Sequence, residues 1–341
     1  MSEQATRGRD ALSGSGAALC ADALVWDCHA CLPLHPGVGV SALERHRRAG
    51  VDFVSVNVGM DFNPVADILQ VIASFRADIA RRADSFVQVD TLDDVFRAKR
   101  EGKLAVAFDL EGSVMLGDNP EMVALFQRLG VRQIHLAYNR NNSVAGGCHD
   151  QDMALTALGR EVVAAVNRAG LLMDCSHTGY RSSLDIMACS TRPVIYSHAN
   201  PRALADHPRN IRDDQIDACA ATGGVIGING IGLFLGDPEV RADTLLRNID
   251  YVAERVGVEH VGLGLDYMYR LGVNDSPPGL DRNHWWPRSA GYAAGLSLDI
   301  APPERIPEIA AGLLERDYGL PAARAILGGN FLRVAAATWI S

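Results

Sequence analysis

The 341-residue sequence contains no apolar run of the roughly 18 residues needed to span a membrane. It carries no basic excess either: 32 Lys and Arg stand against 41 Asp and Glu, a formal net charge of −9. On these grounds neither a membrane nor nucleic acid is expected as a partner. There is no G-x-S-x-G elbow, no phosphate-binding loop and no GxGxxG after a strand, which argues against a nucleotide-binding fold. Paired CxxC motifs at zinc-finger spacing are absent. The N-terminus, "MSEQATRGRDALSGSGAALC", lacks the basic-then-apolar layout of a secretory signal. It is expected to be a flexible leader over residues 1–20, with residues 21–341 as one domain and a cytoplasmic location. The seven cysteines, an odd number scattered along the chain, fit a reducing compartment better than a disulfide framework.

What is present is a large hydrophobic fraction, 48%, enough for a sizeable core. Short runs that are apolar on both faces alternate with longer amphipathic ones. The candidate strands are 23–28, 52–58, 104–110, 132–138, 171–176, 193–198, 224–230 and 260–266. Such runs suit parallel strands covered on both sides. The stretch "LTALGREVVAAVNRAG" between two of them has a Thr156 cap and a terminal Gly170. Eight strands alternating with helices predict an α/β fold, a (β/α)8 TIM barrel of one domain; a doubly wound open sheet is the alternative.

In a barrel the chemistry collects at the C-terminal strand ends. Those ends carry His29 and Cys31 in "DCHACLP", Glu111 in "FDLEGS", Tyr138, His177 in "MDCSHTG", His198 in "IYSHANP" and Asp266 in "GLGLDYMY". Any one of these residues alone reads as a cap or a hydrogen-bonded structural group. Together they place imidazoles and carboxylates where strands converge, a donor mixture that suits zinc or a similar divalent ion. One shared glutamate would make a two-metal hydrolytic site. Cys28, adjacent to His29 on the strand, should face the other way and pack. Cys175, Cys189 and Cys219 read as core filler, Cys148 as a loop residue, and His35, His46 and His207 as surface residues. The loop 270–292, with Trp285, Trp286 and Tyr292, should overhang the site; its aromatics either wall a pocket or pack under the loop or against another subunit.

These segments resemble the membrane dipeptidase (renal dipeptidase) family of metallopeptidases, within the amidohydrolase-like barrels. The resemblance covers residues 22–336 and rests on "DCHACLP", "DLEGS", "LAYNRNNSVAGGC", "LTALGREVVAAVNRAGLLMDCSHTG", "PVIYSHANPRALADHPRNIRDDQI", "HVGLGLDYMY" and "ILGGNFLRV". It implies that His29 binds a first metal, that Glu111 bridges two, and that His177 and His198 complete the second. It places Arg209, with Asn210 beside it, where the family grips a substrate carboxylate. Tyr138 stands where the family contacts the substrate and steadies the oxyanion, and Asp266 at the acid/base position. The activity implied is zinc-dependent cleavage of a dipeptide, with one or two zinc ions per chain and a homodimeric assembly. A specialised C–N hydrolase of small-molecule catabolism, and a ligand-binding member with an impaired first site, are the other readings. Three residues and one tripeptide depart from the family pattern: Cys31 replaces an aspartate ligand, Asn57 a tyrosine, Gly146 the aspartate of G-D-G, and "YMY" the common F-D-G. A thiolate at Cys31 can replace a carboxylate on zinc. Otherwise Cys31 is a free thiol beside a weak or empty first site.

Overall fold

In the computed structural model, which describes residues 14–293 and 298–339, parallel strands follow one another around a barrel. They are β1 (Trp26–Cys31), β2 (Phe53–Met60), β3 (Phe86–Gln88), β4 (Leu104–Glu111), β5 (Val131–His135), β6 (Leu172–Asp174), β7 (Val194–Ile195), β8 (Ile226–Ile228), β9 (Val261–Leu263) and β10 (Tyr267–Met268). The sheet order is β7-β6-β5-β4-β2-β1-β9-β8. A parallel bridge from Tyr196 to Ile226 joins the end of β7 to β8. The result is a nearly closed, single-domain (β/α)8 barrel, not the open sheet. Its walls come close where they close: a Cβ on Gly227 would lie 2.0 Å from the Ser197 carbonyl oxygen, so only glycine fits there.

The eight foreseen strands are the eight barrel staves. β3 and β10 were not foreseen. β3 pairs with the first residues of β4, while β5 pairs with its last; β10 continues the pairing along β1. Both are too short to show a pattern in sequence. The helix Ala157–Ala169 follows its signals. Thr156 accepts from the Gly159 N–H at its start, and Gly170 ends it at φ 68°. Part of the expected 1–20 leader is ordered. Residues 14–22 are helical, with Leu19 and Cys20 buried in the core, because their apolar side chains find a face to cover. Residues 1–13 lie outside the described residues. No described helix is long and apolar enough to cross a membrane.

Strand parity divides the core. Along β4, Leu104, Val106, Phe108 and Leu110 pack outward into the layer shared with the helices. Ala105 and Ala107 instead join Trp26, Phe53 and Phe331 in an inner floor. Trp26 stacks on Phe53 there with ring centroids 3.5 Å apart. The next inward positions on β4 are Asp109 and Glu111, both buried. One strand face thus runs from apolar floor to carboxylate rim, and this alternation delivers the site.

Candidate metal centre

Glu111 is the hub. Its Oε1 lies 3.0 Å from His177 Nε2, 3.5 Å from His29 Nε2 and 3.6 Å from His198 Nε2. Asp266 approaches from the far side, 3.7 Å from His29 Nε2 and 3.9 Å from His198 Nε2. Cys31 Sγ is 3.4 Å from His29 Nε2. The barrel therefore brings together His29, Cys31, Glu111, His177, His198 and Asp266. Ligand atoms held tetrahedrally at about 2.1 Å from an ion sit roughly 3.4 Å apart, so these separations suit a divalent cation. His29–Glu111–His198 and His29–Cys31–Asp266 are each compact enough to hold one.

Local backbone explains the convergence. "DLEGS" bends sharply after Glu111: Gly112 has φ 123°, and a Cβ there would sit 2.0 Å from Asp61 Oδ1. Asp61 in turn accepts from the Ser113, Val114 and Tyr138 N–H groups, tying the loops after β2, β4 and β5 together. His177 and Asp266 adopt left-handed φ values of 64° and 58°. Such conformations are strained for residues with a Cβ and gather at functional sites.

Outer partners orient the rings. Asn139 Nδ2 donates to the Trp285 carbonyl at 3.0 Å, so its Oδ1 faces His177 Nδ1, 2.7 Å away. An amide oxygen only accepts. The His177 proton therefore sits on Nδ1, and Nε2 presents a lone pair to the hub. His198 Nε2 is 3.0 Å from that same atom, and its Nδ1 meets Ser197 Oγ at 2.7 Å. Burial, reinforced by Arg209 for His177 and by His29 for His198, keeps both imidazoles well below their ordinary pKa. The His177 Nε2 lone pair and the Glu111 carboxyl oxygen thus face each other at 3.0 Å, an arrangement that a cation would suit.

The His29 side is different. Burial pulls the His29 pKa down, but the Asp109 and Glu111 carboxylates outweigh it and carry it well above the ordinary value. Its Nδ1 is 3.3 Å from Asp109 Oδ1 without hydrogen-bond geometry. Burial pushes the Cys31 thiol up to about 12 despite His29, and Glu111 up to about 7. Asp266 is also raised by burial and receives the Asn229 Nδ2 donor at 3.0 Å.

Arg209 is buried, donates to the His198 carbonyl at 3.1 Å, and leaves its Nε without a partner among the described residues. Asn210 is turned elsewhere: its amide donates to the Ala205 and Phe234 carbonyls. Tyr138 accepts from Trp286 Nε1 at 3.0 Å, and burial beside Glu111 holds its phenol well above the usual range. Trp286 and Tyr292 line a chamber of about 70 Å³ together with Cys31, Glu111, His177 and Asp266. Trp285 does not line it; its ring packs on Phe62 at 5.2 Å.

Several expectations need correction. Cys28 does not face away from the interior. It packs, as expected, but on the inner floor with Trp26 two residues earlier, and donates to Gln133 Oε1 at 3.4 Å; the β1 register shift between Asp27 and Ala30 lets the adjacent His29 face the interior as well. His46 and His207 are buried, not surface residues. His46 sits between Asp27 and Tyr269, 3.2 and 2.5 Å away, and His207 donates to the Ala290 carbonyl. Sequence reasoning passed over Asn139, Asn229, Asp109 and the pair His135–Asp174, joined at 2.6 Å beneath the hub. His135 precedes Tyr138 inside a strand pattern, where a histidine gives no signal of its own. At Gly146, an added Cβ would crowd Met153 at 3.1 Å, so the glycine belongs to the packing of that loop.

The sequence profile of the membrane dipeptidase family (peptidase family M19) matches residues 41–287. That stretch holds Glu111, His177, His198, Arg209 and Asp266, but begins after His29 and Cys31. Dipeptidase tcpJ of Claviceps purpurea is 29% identical over 303 residues, 84% of this chain and 66% of that one. Dipeptidase verJ of Clonostachys rogersoniana is 29% identical over 291 residues, 84% of this chain and 68% of that one. The chain thus spans about two thirds of the length of these curated relatives. An amidohydrolase from Pseudomonas aeruginosa shares the fold with a TM-score of 0.82 at 28% identity, covering 95% of this chain and 99% of that one. The profile covers well over half of the chain and includes Glu111, His177, His198 and Asp266: the protein belongs to the membrane dipeptidase family, peptidase family M19.

Proposed function

We propose that the chain is a zinc-dependent dipeptidase, cleaving the amide bond of a dipeptide or a similar small carboxylate-bearing substrate. The observation that carries this reading is the meeting of three imidazoles, Glu111 and Asp266 at one strand-end rim, beside a buried arginine with a free donor. Glu111 with His177 and His198 would hold one ion, and Glu111 with His29 and Cys31 the other. Bound divalent ions supply a lowered water pKa and a polarised carbonyl.

The protein's own groups do the rest. The unpartnered Nε of Arg209 offers a charged donor to the substrate carboxylate and so orients the peptide. Asp266, held by Asn229 on Oδ2, takes the proton of the attacking water and returns it to the departing amine nitrogen. Tyr138 keeps its proton and only accepts from Trp286, so its hydroxyl is free to donate to the developing oxyanion. The aromatic wall of Trp286 and Tyr292 keeps bulk water from the chamber.

The test is hydrolysis of L-Ala-L-Ala and L-Ala-D-Ala by the zinc-loaded protein. Turnover lost on chelation and restored by zinc supports the reading. Inertness toward a full panel of dipeptides contradicts it.

A further inference from the structure

A second cavity, of about 350 Å³, opens directly beside the chamber. Cys31, Met60, Met268 and Trp286 border both, so they form a shared wall. The chamber alone, about 70 Å³, is far smaller than the roughly 300–1,000 Å³ typical of small-molecule sites. The neighbouring cavity is the space into which a substrate reaching the hub would extend.

Its chemistry is apolar. Leu32, Phe62 and Met268 face it, and the exposed side chains of Leu271 and Val273 rim its mouth. The charged residues on its border each have a partner within the protein. Asp275 accepts from the Leu34 N–H at 3.1 Å, Arg270 donates to the Leu298 carbonyl at 2.7 Å, and Arg282 lies over the Trp286 ring at 5.7 Å. The Trp286 wall is fixed by Tyr138 and by Phe62, whose ring stands edge-on 5.5 Å away.

Its place relative to the hub gives the polarity of binding. Arg209 borders a different cavity, which shares His177 with the chamber and no lining residue with the apolar cavity. A substrate with its carboxylate toward Arg209 and its scissile carbonyl at Glu111 points its acyl-side residue past Cys31 into the apolar cavity. We propose that this cavity is the specificity pocket for the acyl-side residue, and that it selects dipeptide-like amides bearing a large apolar side chain there. The proposal rests on the dipeptidase reading.

The experiment compares Ala-Gly, Leu-Gly and Phe-Gly as substrates of the zinc-loaded protein. In parallel, tryptophan fluorescence is titrated with L-phenylalaninamide and L-alaninamide, in the native protein and in Trp286→Phe, so that the part of the signal due to Trp286 is read without turnover. The expected result is a kcat/KM at least about tenfold higher for Leu-Gly and Phe-Gly than for Ala-Gly, carried mainly by KM. L-phenylalaninamide should give a saturable fluorescence change at concentrations where L-alaninamide gives none. Met268→Asp should collapse both preferences toward unity. Equal or falling kcat/KM across the series overturns the pocket while leaving the dipeptidase reading intact. No turnover of any substrate overturns that reading, and equal fluorescence responses to the two amides then overturn the pocket on its own terms.

Discussion

The two sides of the metal centre are built differently. On the His177–His198 side, each imidazole has its outer nitrogen committed: Asn139 to one, Ser197 to the other. Those bonds aim the inner nitrogens at Glu111 before any cation arrives. On the His29–Cys31 side, the Asp109 contact is out of line, and the thiol carries a proton that burial holds on up to about pH 12. One side is preorganised, whereas on the proposed reading the other would be completed only by a cation that displaces that proton. The contrast teaches that two positions sharing one carboxylate need not have equal affinity.

Four substitutions sharpen or break this contrast. Glu111→Gln has the largest expected effect, because the bridge belongs to both sides; metal analysis should find neither ion retained after gel filtration. Asp266→Asn is expected to lower kcat by roughly 10²–10⁴ while zinc content stays at the native level. A fall in zinc would make Asp266 a ligand and not the acid/base, since its Oδ1 is also close to His29. Cys31→Asp should keep the first position occupied but shift its preference from zinc toward manganese, read by competitive metal loading. Asn139→Ala frees the His177 ring and is expected to weaken zinc binding about 10–100-fold on the preorganised side alone. Equal weakening on both sides would erase the distinction drawn above.

Much of this architecture was legible in the sequence, for identifiable reasons. The eight staves are apolar on both faces, and the rim residues His29, Glu111, His177, His198 and Asp266 are chemically conspicuous at strand ends. What escaped depends on partners distant in the chain. Asn139 matters because of Trp285, 146 residues on, and His177, 38 residues on. His46 reads as part of an exposed basic helix until Asp27 and Tyr269 are seen to bury it. Cys28 and the adjacent His29 both face inward through a register shift that strand alternation alone does not predict. Short or irregular elements such as β3 and β10 are fixed by pairing with β4 and β1, not by their own residues.

The central claim is that two positions share Glu111 and that the Cys31 thiolate completes one of them. It is tested most directly by counting zinc in protein purified without chelator, beside the Cys31→Ala variant. Two ions per chain in the native protein and one in the variant are predicted. A single ion in the native protein, unchanged by the substitution, would contradict it.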